Sequence, residues 1–367
     1  MKNILRLLLK SQHQRNRSGP AQTDKGMTLV ELLVGAIMAF LIITPMIGFV
    51  VDMLNTDRRE QVKSNTEQDL QAAVDFIAQD LSQAIYIYDN NTADGVPNLL
   101  TKKFIPSKAN ETPILVFWKR LQLKNSLPIV PGDKPKACQD NTPLNGTGAC
   151  NDTYVLSLVA YYQVKGEPGI WCQPSGGTTC PTRIVRYQIQ DGLRDPTKST
   201  EADPANRYFA DGDLKNSDSQ KRSDAFNIGT LSEAGFDISK PTENVTRGDQ
   251  FFDPPEVLVN YIDHSQQTGK TIDSAECQKA LGNPTTQTGI TPSKISEDTL
   301  KVTDDKGSTL NTNSFYACVD TQRNVARVTI RGNSLRRIQT DAAYDAKKAA
   351  YFPTASVQVQ GIGARGQ

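Results

Sequence analysis

The first strong pattern along the chain is an unbroken apolar run. Leu32 to Val51 carries no charge over 20 residues, and a helix of that length spans about 30 Å, the hydrocarbon thickness of a bilayer. From Val62 the pattern changes. Val62, Leu70, Ala73, Val74, Ile77, Leu81, Ala84, Ile85 and Tyr88 recur at steps of three, four or their sums, with Lys63, Glu67, Asp69, Asp75, Gln79 and Asp80 between them. This spacing predicts an amphipathic helix with the charged and amide residues on its outer face. No glycine or proline interrupts Asp52 to Tyr88, and Asp89-Asn90-Asn91 followed by Asp94-Gly95 supplies a stop. The expectation is one N-terminal helix of about 60 residues, with a transmembrane half at 27–51 and an amphipathic half at 52–89. Pro45 removes a backbone hydrogen bond from the first half and predicts a kink or local loosening there.

Beyond residue 90 the pattern turns to short apolar or alternating runs. Pro113 to Lys119, Tyr154 to Val164, Arg183 to Gln190, Glu256 to Ile262, Ser314 to Val319 and Val325 to Arg331 read as strands, with a weaker one at Ser356 to Gln360. Asp320 to Asn324 reads as a hairpin loop between two of them. A long helix packed on an antiparallel sheet, an α+β fold with one globular domain at 90–367, is the economical architecture. Two polar stretches, 191–255 and 263–313, stand out as long loops, which in a compact domain are functional or disordered.

Cysteine and charge sharpen this picture. The six cysteines, Cys138, Cys150, Cys172, Cys180, Cys277 and Cys318, include no Cys-x-x-Cys pair, so zinc and thioredoxin-like chemistry are disfavoured and disulfides are expected outside the cytoplasm. Of the many possible pairings, neighbours are favoured: Cys138 with Cys150, Cys172 with Cys180, and Cys277 with Cys318. The alternative is buried free thiols. The full chain carries 41 basic and 40 acidic residues, which argues against a strongly basic nucleic-acid surface.

Enzyme chemistry finds little in the sequence. Of two histidines, His13 precedes the apolar run and His264 stands alone in Tyr-Ile-Asp-His-Ser, as a solvated loop residue would. No Gly-x-Ser-x-Gly or phosphate-binding glycine loop occurs. Asp211, Asp213, Asn216 and Asp218 cluster oxygen ligands of the kind calcium takes, without the EF-hand spacing, and a solvated acidic loop is the plainer reading. Arg247-Gly248-Asp249 spells an adhesion tripeptide, a match close to chance at this length. No cofactor is expected beyond that weak calcium candidate.

The flanks of the apolar run give its orientation. Lys2, Arg6, Lys10, Arg15, Arg17 and Lys25 precede Gly26 against Asp24 alone, so the positive-inside rule keeps this end in the cytoplasm and sends the rest across the membrane. The run is too long for a secretory signal core and no small-x-small cleavage site follows it. Glu31 sits near its start, where a carboxylate in lipid needs a partner. Cleavage after Gly26 would create one, the new α-amino group of Met27 on a neighbouring subunit. The plainer alternative is a carboxylate solvated at the headgroup level.

Taken together, Lys25-Gly26-Met27-Thr28-Leu29-Val30-Glu31 and the apolar helix after it resemble the type IV prepilin processing site. The resemblance implies that residues 1–26 are a leader, that a prepilin peptidase cuts between Gly26 and Met27 and N-methylates Met27, and that Glu31 guides assembly. The leader is longer than the shortest type, and methionine replaces the commoner phenylalanine at the new N-terminus. Loss of the leader would leave 35 basic against 39 acidic residues, the leader holding six and one.

The length of the chain and the segment from Ala72 to Ala84 are similar to J-type minor pseudopilins of type II secretion. More narrowly, Met27 to Asp89 resembles the C component of cyanobacterial hormogonium polysaccharide secretion. Membership would imply a pilin-like fold and a structural or tip subunit working with other pseudopilins, an inner-membrane assembly platform and its ATPase. It would serve polysaccharide export and gliding motility. A minor pilin of a motility, adhesion or DNA-uptake pilus stays open. So does an uncut membrane-anchored exported enzyme or carbohydrate-binding protein.

Overall fold

A computed structural model of the protein describes residues 28–139, 148–166, 170–173, 180–226, 238–239, 252–263, 265, 275–286, 292–303 and 314–363. The chain divides into two units, Met1–Arg58 and Arg59–Gln367. In the first, helix α1 (Leu29–Ser82) begins. Every large apolar side chain from Leu29 to Leu54 is exposed, and the helix is long and apolar enough to cross a membrane. Pro45 lies inside it without ending it. The Thr44 hydroxyl donates to the Phe40 carbonyl at 2.8 Å, one turn back.

The second unit is built of antiparallel sheets. The first has five strands in the order of the chain: β1 (Ala84–Tyr88), β2 (Glu111–Pro128), β3 (Cys150–Val164), β4 (Thr182–Gln190) and β5 (Glu256–Ile262). The second has four: β6 (Lys301–Thr303), β7 (Phe315–Asp320), β8 (Val325–Arg331) and β9 (Thr354–Gln360). The architecture is thus α+β, with two sheets where the sequence pattern suggests one.

Helix α1 stops at Ser82, six residues short of Tyr88. Ala84, Ile85 and Tyr88 continue the spacing of a helical stripe, but Ala-Ile-Tyr-Ile-Tyr is β-branched and aromatic and goes into the edge strand β1. Upstream, Thr66, Leu70, Ala73, Val74, Ile77, Asp80 and Leu81 form the buried stripe. Asp80, expected on the outer face, is buried with them, for reasons set out below.

Strand register decides which residues share a face. On one side of the first sheet lie Leu115, Phe117 and Lys119 of β2, opposite Tyr161, Val159 and Ser157 of β3, with Arg186, Gln188 and Gln190 of β4 beyond them. On the other lie Trp118, Leu158 and Ile189. Both faces are covered, so residues 114–118 are all buried, and the strand reads as a continuous apolar run rather than an alternating one. The Trp118 ring meets Phe226 edge-on at 6.3 Å and its indole N–H donates to the Tyr88 hydroxyl at 2.8 Å.

In the second sheet the apolar pairs share one face, although β7 is buried on both, whereas β9 alternates in exposure. Phe315, Ala317 and Val319 pair with Ile330, Val328 and Ala326, which pair in turn with Ala355, Val357 and Val359. These join the same core as the helix stripe and the first sheet. Cys318, Arg327 and Gln358 stand on the opposite face.

The two sheets are tied at one corner. The Arg331 Nε donates to the fully buried Asp263 at 2.8 Å, and the Asp263 N–H donates to the Arg331 carbonyl at 2.9 Å. Nearby, Asn333 N–H donates to the Tyr261 carbonyl at 2.8 Å. Gly332, between them, packs tightly against α1: a Cβ there would lie 2.8 Å from Thr66 Cγ2 and 3.0 Å from Leu70 Cδ1. The Thr66 side chain cannot swing away freely, because its hydroxyl donates to the Val62 carbonyl at 2.8 Å and accepts from Arg337 Nε at 2.9 Å. Gly332→Ala should therefore cost about 1–3 kcal/mol by overpacking, read as a lower denaturant midpoint at unchanged slope; an unchanged midpoint would show that the helix can shift to make room.

Candidate functional site

The residues of the expected processing site, Gly26 and Met27, lie outside the described residues, as do the rest of the leader, His264 and Arg247-Gly248-Asp249. The described chain opens at Thr28, the residue before α1. Its hydroxyl accepts the Glu31 N–H at 3.3 Å, and its carbonyl accepts the Leu32 N–H at 3.1 Å. Thr28-Leu29-Val30-Glu31 thus has the Thr-x-x-Glu form of a helix N-terminal capping box. A glutamate in the first turn also complements the helix dipole. The Thr28 bond uses the Glu31 main chain; the Glu31 side chain, in the first turn, is placed to complement the dipole beside the assembly role inferred for it. Thr28 could have been found from the sequence, since the capping spacing is visible there.

Asp80 is the residue that sequence pattern placed wrongly. Its Oδ1 accepts the Lys119 ammonium at 2.6 Å, and its Oδ2 accepts Arg186 Nε at 2.8 Å and the Tyr161 hydroxyl at 2.7 Å. Lys119 and Tyr161 come from adjacent strands, and Arg186 lies directly across β4 from Tyr161. All three point to the helix side of the sheet. Burial alone would raise the Asp80 carboxyl, but Arg186 and Lys119 more than reverse this and hold it below the usual carboxylate range. Burial and the adjoining carboxylate push the Tyr161 hydroxyl upward, so it stays a donor. The exposed Phe76 ring lies 5.7 Å from the Arg186 guanidinium carbon. These bonds make an ionic anchor between α1 and the sheet, and Arg186 also lies 3.5 Å from Glu256 and donates to Gln188.

All six cysteines are in disulfides, joining Cys138 to Cys150, Cys172 to Cys180, and Cys277 to Cys318. The last joins the helical turn Glu276–Ala280 to β7. It lies in a small cluster with Leu281, Leu300 and Tyr316.

The calcium candidates are not drawn together. Asp213 accepts Lys134 at 2.8 Å and Lys136 at 3.2 Å, Asp211 pairs with Lys221 at 3.2 Å, and Asn216 accepts the Asp218 N–H at 3.1 Å. Among the described residues no group of three histidine, cysteine, aspartate or glutamate side chains is placed to hold a metal ion. Lysines pair with the Asp211 and Asp213 carboxylates.

The first half of the long polar stretch 191–255 has a built structure. Asp191 is buried; its Oδ1 accepts the Tyr208 hydroxyl at 2.6 Å and the Gly192 N–H at 2.9 Å, and its Oδ2 accepts Arg194 Nε at 3.2 Å. The guanidinium carbons of Arg194 and Arg222 lie 5.5 and 5.7 Å from the Tyr208 ring centre. Gly192 makes this approach possible, since a Cβ there would sit 2.9 Å from Arg222 Cβ. Gln190 closes the loop against β4 by donating to the carbonyls of Ser219 and Lys221 at 2.8 and 3.1 Å. These partners are far apart in the chain, which is why composition alone shows only a polar loop.

No protein-family model, curated protein or solved structure matches this chain.

Proposed function

We propose that the chain is a subunit of a type IV pilus-like filament, anchored by α1 in the inner membrane with its N-terminus in the cytoplasm. Within that class it is read as a J-type minor pseudopilin, nearest to the C component of hormogonium polysaccharide secretion, serving polysaccharide export and gliding motility. The observation that carries this reading is a single helix whose first half is apolar and exposed and whose second half is buried along one stripe. A carboxylate stands in its first turn and Gly26-Met27 lies just before it. An exposed apolar helix of that length needs lipid or other helices around it. An antiparallel α+β unit stapled by disulfides suits the far side of the membrane.

In this reading the prepilin peptidase removes residues 1–26 and methylates Met27. The subunit then joins companion pseudopilins through the apolar helix, driven by the assembly platform and its ATPase. The Arg59–Gln367 unit presents the surface, and no catalytic step is assigned to it. The intact mass of the membrane-extracted protein tests the reading first: the expected mass lacks Met1 to Gly26 and carries one added methyl group. Retention of the leader would overturn it in favour of an uncut membrane-anchored protein. A deletion strain then separates the finer alternatives. Pili kept with secreted polysaccharide lost is the expected result, whereas loss of pili would place the chain in a type IV pilus.

A further inference from the structure

Residues 192–224 line a surface cavity of about 690 Å³, within the range of small-molecule sites. Its lining is unusual for such a site in being dominated by polar groups. Lys198, Lys221 and Arg222 face it together with Glu201, Asp211 and Asp224. The lining carries three cations and three anions, so neither sign predominates on it. Several of these charges are already matched: Lys221 with Asp211 at 3.2 Å, and Lys198 with Asp195 at 3.8 Å. Strong donors and strong acceptors thus share one concave surface with Asn206, Tyr208 and Phe209.

We propose that this cavity binds a neutral, polyhydroxylated ligand, that is, a sugar unit or a short stretch of uncharged oligosaccharide. A hydroxyl group donates and accepts at once. A row of them can bridge lysine or arginine to carboxylate without the desolvation penalty that an unmatched charge would bring. A phosphate or a carboxylated sugar would meet Glu201, Asp211 and Asp224, and an amine would meet the three cations. The site is preorganised rather than slack. Asp191 fixes Tyr208 and Arg194, Gln190 fixes the backbone at Ser219 and Lys221, and Arg222 donates to the Phe226 carbonyl at 2.7 Å. The proposal stands apart from the assembly reading and survives its failure, because it rests on the Arg59–Gln367 unit alone.

The test is titration of the full chain in lipid nanodiscs, which carry no sugar headgroups, with neutral gluco-, galacto- and manno-oligosaccharides, followed by calorimetry or saturation-transfer NMR. The expected result is saturable binding of at least one neutral series. It should be weakened about tenfold or more by Glu201→Gln and by Lys221→Met, since a hydrogen bond to a charged group is worth about 1.5–3 kcal/mol. Both side chains are on the surface, so folding is checked by unchanged thermal midpoints. Three results would overturn the proposal: no binding of any neutral series, binding unaffected by both substitutions, or stronger binding of inorganic phosphate or glucuronate at the same site.

Discussion

Replacing Asp80 with alanine should remove about 3 kcal/mol of stability from the Arg59–Gln367 unit, because it takes a carboxylate away from two buried cations. Lys119 and Arg186 are both largely shielded from water, with side-chain exposures of 7% and 8%. Each is held by the Asp80 carboxylate, and Tyr161 also loses its acceptor. Arg186 keeps a second, exposed carboxylate, Glu256 at 3.5 Å, so the penalty is chiefly the desolvation of Lys119 left without a counter-charge, not the net worth of the original pair. A triple replacement of Asp80, Lys119 and Arg186 by apolar residues of similar size should therefore recover most of the loss. Denaturant titration followed by tryptophan fluorescence checks both, since Trp118 neighbours Lys119 and is buried. A single Asp80→Ala variant as stable as the parent would show that water reaches the cations.

The same group sets part of the acid limit. Its folded pKa lies below the ordinary aspartate value of 3.8. Its contribution is thus fully present above that unfolded value and disappears as pH falls through the lower folded one. Asp89 works in the opposite sense. Burial, with help from Asp94 and Asp320, raises its carboxyl, so it opposes folding at neutral pH and is relieved on acidification. The slope of stability against pH below about 4 should become shallower in the Asp80 triple variant.

The second large effect is expected at Glu31. If a Met27 amine of a neighbouring subunit is its partner, Glu31→Ala leaves that amine unmatched in lipid. A charge in lipid costs about 2.5–3.5 kcal/mol at the bilayer centre and less toward the interface, where the start of the apolar run lies, so a loss of about tenfold in subunit association is expected. Incorporation with companion subunits, measured by co-purification after cross-linking, should fall accordingly while removal of the leader continues. Glu31→Gln distinguishes the two roles of the side chain. Glutamine can still serve the Thr28 capping box but carries no charge, so it should fail in assembly nearly as fully as alanine. Normal incorporation of Glu31→Gln would leave Glu31 as a helix cap only.

Much of the architecture is readable from residue pattern, for physical reasons that differ by element. Strands β5 and β8 coincide with the runs Glu256–Ile262 and Val325–Arg331 because each is bounded by polar residues and is rich in branched side chains. Strand β1 is hidden because Ala84, Ile85 and Tyr88 fall at spacings that also suit a helix, with no glycine or proline before them. Strand β6 is three residues long and too short to carry a period.

The Asp80 anchor was concealed for another reason. A carboxylate on an amphipathic helix ordinarily faces water, and its partners lie 39 and 106 residues away. The available signal was in the strands. Lys119 and Arg186 occupy the same face as Phe117, Leu115 and Val159, and cations on a core face demand a buried anion.

Two polar clamps set along the buried stripe of α1 also have a mechanical meaning. Thr66 and Asp69 engage Arg337, while Asp80 engages Lys119, Arg186 and Tyr161. Thr66 and Asp80 are separated by about 21 Å of helix. A pull directed along the helix axis loads both clamps in shear at the same time. Neither can open first without dragging the other, so the helix should resist extraction up to a threshold and then release in one event. An outward peel would instead break them in succession at much lower force.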